Sequence, residues 1–200
     1  MTVGVLALQG AFKEHIDKFN SINYDKFNSI NYKTIEIRNL ADLSKIDALV
    51  IPGGESTVIG MQLETAGMLE PIKKMISDGM PTWGTCAGLI LLSDAVDNQS
   101  ATSQKLLGGL PIKVVRNYYG RQNESFIGEI SIVDSKEPQQ QVFIRAPFIE
   151  SFDEAVNVLA NINYRELCSP VAVQYKNMLA TTFHPELSNT DYWHKIFIAI

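Results

Sequence analysis

Three times in the first 93 residues, a short apolar run ends in a glycine-containing turn and a helix-period segment follows. The runs are residues 3–8, 47–51 and 80–83, and residues 34–37 make a further short strand between the first two. Strands that are apolar on successive positions bury both faces, and helical crossovers between them force parallel pairing. The pattern predicts an α/β fold with a central, mainly parallel sheet covered by helices on both sides. Helices are expected from Phe12 to about Tyr24, with Ile16, Phe19 and Asn23 on one side, and from a Ser56 cap through Val58, Met61 and Leu63. A third carries Met68, Ile72, Met75 and Ile76 on one stripe, has Pro71 in its first turn and stops at Asp78-Gly79; a fourth begins at Ala87.

The second half reads differently. Residues 111–115, 126–133, 141–145, 156–162, 171–175 and 178–183 are strand-like, closely spaced and separated by polar turns. They predict antiparallel hairpins that extend the same sheet or are appended to it. Trp193, Ile196, Phe197 and Ile200 form a closing amphipathic helix, with residues 188–190 available as caps. No linker-like shift in composition interrupts the chain, so residues 1–200 are expected to be a single domain.

One irregularity stands out: residues 17–24 read DKFNSINY, and residues 25–32 repeat them. Either the repeat lengthens the first helix, or one copy ends it and the other loops out. Eight residues rotate a helix face by roughly 80°, so the insertion does not simply prolong the same stripe.

Composition narrows the function class. A net charge of −5 argues against nucleic acid as the main partner, because phosphate binding needs clustered cations. The two cysteines, Cys86 and Cys168, make no disulfide framework, so a reducing compartment, the cytoplasm, is expected. Cys168 reads as a semi-buried structural thiol. No apolar run approaches the ~18 residues needed to span a bilayer. The apolar N-terminus lacks the preceding cations of an export signal, so the sequons at Asn98 and Asn123 read as chance.

Three turns carry chemistry. Gly84-Thr85-Cys86-Ala87-Gly88 joins a strand directly to a helix and has the form of a nucleophile elbow with cysteine as nucleophile. The glycines permit the tight turn, the helix N-terminus favours a thiolate, and the Ala87 N–H is placed for a developing oxyanion. His184-Pro185-Glu186 follows the last strand. In extended backbone i and i+2 share a side, so Glu186 can fix the tautomer of His184 as a base for Cys86. His15 and His194 sit in helical patterns and are expected to be exposed. Pro52-Gly53-Gly54-Glu55-Ser56-Thr57 is a third strand-to-helix turn. It lacks the lysine of a phosphate loop, and a second oxyanion donor from Gly54 is the more economical reading. No residues have metal-ligand spacing, and neither metal nor cofactor is expected.

These motifs in this order resemble the class I, or triad, glutamine amidotransferases. Further strings resemble, within that family, the glutaminases of pyridoxal 5′-phosphate synthesis: Val5-Leu6-Ala7-Leu8-Gln9-Gly10-Ala11, Trp83 through Ile90, Arg116-Asn117, Gly120-Arg121-Gln122, Ser125-Phe126, Phe143-Ile144-Arg145-Ala146-Pro147 and Phe183 through Leu187. The resemblance spans essentially the whole chain and implies a three-layer, flavodoxin-like fold. It implies hydrolysis of L-glutamine to glutamate and ammonia through a thioester on Cys86, with His184 as acid–base and Glu186 orienting it. Gly54 and Ala87 would form the oxyanion hole. Gly54, Glu55, Ser56, Arg116, Ile144 and Arg145 would line the glutamine site. Gln9 and Gly10 would lie at the interface with a (β/α)8-barrel synthase subunit in a large hetero-oligomer and help switch the site on. Removing one octapeptide restores a family-like spacing between His15 and Thr34, which places the insertion at the end of the first helix remote from Cys86.

Other functions remain open at this stage: a glutaminase serving another synthase, a cysteine hydrolase of similar fold, or a non-catalytic regulatory subunit. The complete Cys86, His184 and Glu186 set argues against the last.

Overall fold

The structure, a computed structural model, describes residues 1–24, 32–97, 99, 103–118, 125–164 and 167–200. Its first half runs β1 (Thr2–Leu6), α1 (Phe12–Tyr24), β2 (Lys33–Ile37), β3 (Ala48–Ile51), α2 (Ser56–Thr65), α3 (Leu69–Ser77), β4 (Thr82–Thr85) and α4 (Ala87–Leu92). The second half runs β5 (Ser93–Val96), β6 (Leu110–Val115), β7 (Ser125–Ile132), β8 (Gln139–Ile144), β9 (Phe148–Phe152), β10 (Asn157–Tyr164), β11 (Leu167–Tyr175), β12 (Met178–Thr181) and α5 (Tyr192–Ile198).

Nine strands form one sheet in the order β2-β1-β3-β4-β12-β11-β10-β7-β8. Pairing is parallel from β2 across to β12 and antiparallel beyond it. Side chains alternate between the two faces, as strand geometry requires. Val3, Val5, Ala48 and Val50 pack with Phe19 and Ile22 of α1 and with Trp193 and Phe197 of α5. Leu6, Leu49 and Ile51 pack on the other side with Ile59, Leu63, Ile72 and Leu89. Each such side chain, fully buried, contributes about 1.5–3 kcal/mol relative to exposure.

The structure bears out the expected α/β architecture and the antiparallel extension, with four local differences. β4 starts at Thr82 rather than Met80, because Pro81 has no N–H to enter the ladder; its carbonyl still accepts from Leu49 N at 2.9 Å. β11 starts at Leu167 and includes Pro170. Proline is tolerated there because β12 pairs only with Ala172 through Tyr175, so Pro170 lies on a locally open edge. β5, β6 and β9 form a separate three-stranded sheet instead of joining the main one. β5 follows α4 without a loop, so its residues merged with the helix pattern. Finally, Ser56 is the first residue of α2 rather than its cap, which is Glu55. The Ser56 hydroxyl donates to Gln104 Oε1 at 2.7 Å.

The first octapeptide copy completes α1. In the second copy, residues 25–31 lie outside the described residues, and the helix-or-loop question lies there with them. Tyr32 is buried and donates its hydroxyl to the Phe19 carbonyl at 2.6 Å. Lys33 N donates to Met1 O at 3.1 Å, so the chain returns at the amino end of β1, the sheet edge opposite Cys86. Cys168 is exposed, not semi-buried. No helix among the described residues is long and apolar enough to cross a membrane.

Candidate active site

Four adjacent parallel strands, β1, β3, β4 and β12, end at the same edge of the sheet. The turns that leave them carry Gln9 and Gly10, Gly53 to Ser56, Cys86, and His184. The carboxyl edge of a parallel sheet is where such folds collect ligands.

Cys86 sits between β4 and α4 with φ at 49°, a left-handed conformation that L residues other than glycine rarely adopt. Its N–H donates to Thr181 O at 2.8 Å, tying the elbow to β12. The flanking glycines are sterically required. A Cβ on Gly88 would lie 2.0 Å from Ile51 O, and one on Gly84 would lie 2.5 Å from the Gly88 backbone. Helix α4 can therefore lie directly on β3 and β4 only without those side chains.

The thiol faces two groups. Sγ lies 3.7 Å from Ile144 O, and the thiol is near enough to His184 to favour the charged imidazole. His184 Nδ1 lies 2.7 Å from Glu186 Oε1, with both residues buried. The backbone there is not extended. Residues Pro185–Leu187 form a 3-10 turn, with Pro185 in its first position, where a missing N–H is harmless. The turn still returns Glu186 beneath His184, and His184 N is fixed by Val142 O at 2.8 Å. Burial opposes a charge on His184, but the Cys86 thiol and Glu186 outweigh it and hold the imidazole well above its usual range. Burial likewise opposes ionisation of Glu186, yet His15 and His184 keep its carboxyl below the usual range. A carboxylate, an imidazole and a thiol thus form one line.

A cavity of about 330 Å³ opens in front of Cys86. Gly10, Gly54, Glu55, Ser56, Cys86, Ala87, Arg116, Ile144, Arg145 and His184 all line it. Gln9 stands behind the wall, its Oε1 accepting from Glu55 N at 2.8 Å, and Ala11 N donates to Gly53 O at 3.1 Å. Gly53 is needed for a reason of its own, since a Cβ there would lie 2.4 Å from His184 Cε1. On the wall of the same cavity, Arg116 Nη2 meets Glu55 Oε1 at 2.8 Å and Arg145 Nη1 lies 3.7 Å from Glu55 Oε2. The guanidinium groups are part-exposed, and Arg116 hydrogen-bonds the Glu55 carboxylate while Arg145 stands near it. Ser56 differs from the expected role: its hydroxyl points to Gln104, so it meets the cavity through the turn and not as a free donor.

Sequence reasoning missed several residues. Glu14, Asn117 and Leu187 also line the cavity. His15 and His194, expected at the surface, are both fully buried. His15 Nε2 lies 3.3 Å from Glu186 Oε2, and His15 Nδ1 lies 3.0 Å from His194 Nε2. The signal was present. The inward stripe of α1 is His15, Phe19 and Ile22, at i, i+4 and i+7, rather than the stripe through Ile16 and Asn23. In α5 the buried residues are Trp193, His194, Phe197 and Ile198. The string Gly120-Arg121-Gln122 lies outside the described residues.

Known proteins resemble this chain over nearly its whole length. A Nocardioides protein named pyridoxal 5′-phosphate synthase subunit PdxT is 41% identical over 198 residues, covering 98% of this chain and 94% of that protein. Its namesake from Haemophilus influenzae is 44% identical over 205 residues, covering 100% and 98%. A crystal structure described as glutamine amidotransferase superposes with a TM-score of 0.84 at 36% identity, covering 98% of this chain and 97% of the other. The family model of the SNO glutamine amidotransferases matches residues 5–200, and the chain belongs to that family.

Proposed function

We propose that this chain, acting as one domain, hydrolyses L-glutamine at Cys86 and supplies the ammonia to the synthase subunit of a pyridoxal 5′-phosphate synthase. The observation that carries the reading is the set Cys86, His184 and Glu186 at a cavity that Arg116, Arg145 and Glu55 also line. The arginines suit the α-carboxylate of glutamine and Glu55 suits its α-ammonium, so a zwitterion finds both partners.

In the first step Cys86 Sγ attacks the side-chain amide carbon, and the proton it gives up resides on His184. The Gly54 and Ala87 N–H groups stabilise the oxyanion. Collapse breaks the C–N bond, and His184 protonates the leaving nitrogen to give ammonia and a γ-glutamyl thioester. In the second step His184 takes a proton from water, the hydroxide attacks the thioester, and the thiolate leaves to recover the proton. Glu186 holds His184 in the required tautomer throughout.

The partner in this reading is a (β/α)8-barrel synthase subunit in a large hetero-oligomer, within the cytoplasm, where a free Cys86 stays reduced. Gln9 and Gly10 belong to its interface. The Gln9 contact to Glu55 N and the Ala11 contact to Gly53 O would carry movement there to the Gly54 N–H. The test is glutamine hydrolysis with and without the cognate synthase subunit, for the native protein and for Cys86→Ala. Strong stimulation by the partner is expected, with no hydrolysis by the variant in either case. Equal activity of the isolated protein and the mixture would remove the coupling, and an active variant would remove the mechanism.

A further inference from the structure

The triad uses only one oxygen of Glu186. Oε1 accepts from His184, while Oε2 is sealed from solvent and has no well-aligned hydrogen-bond partner among the described residues. What faces it, at 3.3 Å, is His15 Nε2. His15 also lies 3.3 Å from Thr85 Oγ1, one residue before the nucleophile. Its ring is caged by Trp83, edge-on at 5.3 Å, and by His194.

Donor and acceptor roles follow from chemistry. An ionised carboxylate only accepts, so the nitrogens facing Glu186 carry hydrogens: Nδ1 of His184 and Nε2 of His15. Burial holds His15 below the ordinary imidazole value, against the pull of Glu186, so the ring is neutral and its Nδ1 is a lone pair. His194 Nε2 then donates to that lone pair across 3.0 Å. This leaves His194 Nδ1 as a bare acceptor, and it is buried without a partner among the described residues. One assignment satisfies every nitrogen but the last: His194 Nε2 donates to His15 Nδ1, and the His15 Nε2–H, within reach of Thr85 Oγ1, faces Glu186 Oε2 at 3.3 Å. Two buried imidazoles with an orphaned nitrogen cost stability that apolar side chains of similar volume would not. What they provide is a donor at Glu186 Oε2.

We infer that His15, held by His194, is a positioning residue for glutamine hydrolysis. It anchors the second oxygen of Glu186 and so fixes the plane of the carboxylate that orients His184. The inference rests on the reading of Cys86, His184 and Glu186 as the hydrolytic set. The other charged or titratable groups near His15 are Glu14 on its own helix, His184 on the 3-10 turn, and Lys18 beyond His194.

The experiment compares His15→Phe, His15→Gln and His194→Phe with the native protein, each with the cognate synthase subunit and with Cys86→Ala as the blank. kcat, KM and the pH profile of kcat/KM are measured, and thermal melts are recorded for each variant. His15→Phe fills the cage but removes the donor. It is expected to lower kcat about 10–100-fold, the range for lost outer-shell support. KM should stay within about two-fold, because no substrate contact is lost. The acid limb should move to higher pH, since Glu186 loses one of the groups that keep it ionised. His15→Gln restores an N–H and should recover most of kcat and the native limb. His194→Phe, which leaves His15 free to turn, should fall between the two and decides the matter if His15→Phe does not fold. Native kcat and profile in His15→Phe, or equal loss in His15→Phe and His15→Gln with an unmoved acid limb, would overturn the inference while an inactive Cys86→Ala leaves the hydrolytic reading standing. Activity in Cys86→Ala would overturn both.

Discussion

The parallel half and the antiparallel half of this molecule meet at one cavity and contribute to it in different ways. The parallel strands β3, β4 and β12 deliver Gly54, Cys86 with Ala87, and His184 with Glu186, through turns tied to their neighbours by backbone hydrogen bonds. Cys86, His184 and Glu186 are 6%, 7% and 5% exposed. The second half delivers Arg116 just after β6 and Ile144 and Arg145 at the end of β8, with arginine side chains 16% and 34% exposed. The atoms proposed to react are thus fixed in the buried ladder, and the groups proposed to recognise the rest of the substrate sit at its wetter rim. Rate and affinity should be separable along this seam.

The largest effect expected is from the rigid side. His184→Ala should lower kcat by about 10⁴-fold or more with KM little changed, because acid–base function and nothing of recognition is lost. A KM that rises as much as kcat falls would break the division. Next comes the packing beneath the elbow. Gly88→Ala pushes a Cβ into backbone and should destabilise by about 3 kcal/mol in denaturant titration. Gly128→Ala, in β7, meets side chains only, the tip of Ile162 and the ring edges of Phe126 and Phe143, and should cost less, about 1–2 kcal/mol. Equal costs would mean that the two halves are equally rigid.

On the recognition side, Arg116→Ala should raise KM for glutamine roughly 10–100-fold, the loss of one charge-assisted hydrogen bond, with kcat within a few-fold. Arg145→Ala should do less, since its guanidinium stands farther from Glu55. Smaller again is a pH effect on stability. Burial chiefly, aided by His15 and Lys18, holds His194 well below the ordinary imidazole value, and burial lowers His15 as well. The unfolded chain binds protons first as pH falls through about 6.5, so this stability is present above that pH and lost below it. His184 is raised and runs the other way, losing its contribution as pH rises through its folded value. Melting temperature should drop between pH 7 and 5, and the drop should be shallower in His194→Phe. The smallest effect is expected from deleting residues 25–32, which should leave partner-stimulated activity within a few-fold because the chain returns to the sheet at the edge remote from Cys86.

How far the sequence could be read follows the same seam. The parallel strands were legible because burial on both faces leaves an uninterrupted apolar run, and the turns after them were legible because glycine is forced where backbones touch. Gly88 against Ile51 and Gly10 against Gly53 are the instances. Of the small sheet only its central strand, β6, was legible. β9 follows Pro147 and alternates only weakly, and β5 has no turn before it. His15 and His194 were misread for another reason: a polar residue on an amphipathic helix is assigned outward unless the inward stripe is traced through it. Here the inward position is stabilised by a carboxylate that arrives from 171 positions later in the chain.

The register between β4 and β12 has one further consequence. Thr85 pairs with Thr181, and the chain leaves that rung toward Cys86 on one strand and toward His184 on the other. A slip of one residue moves one partner by about 3.3 Å and inverts its side chain. Thiol and imidazole would then no longer meet. Regain of glutamine hydrolysis during refolding is therefore a clock for strand registration, one that far-ultraviolet signals from a slipped but fully paired sheet would not provide.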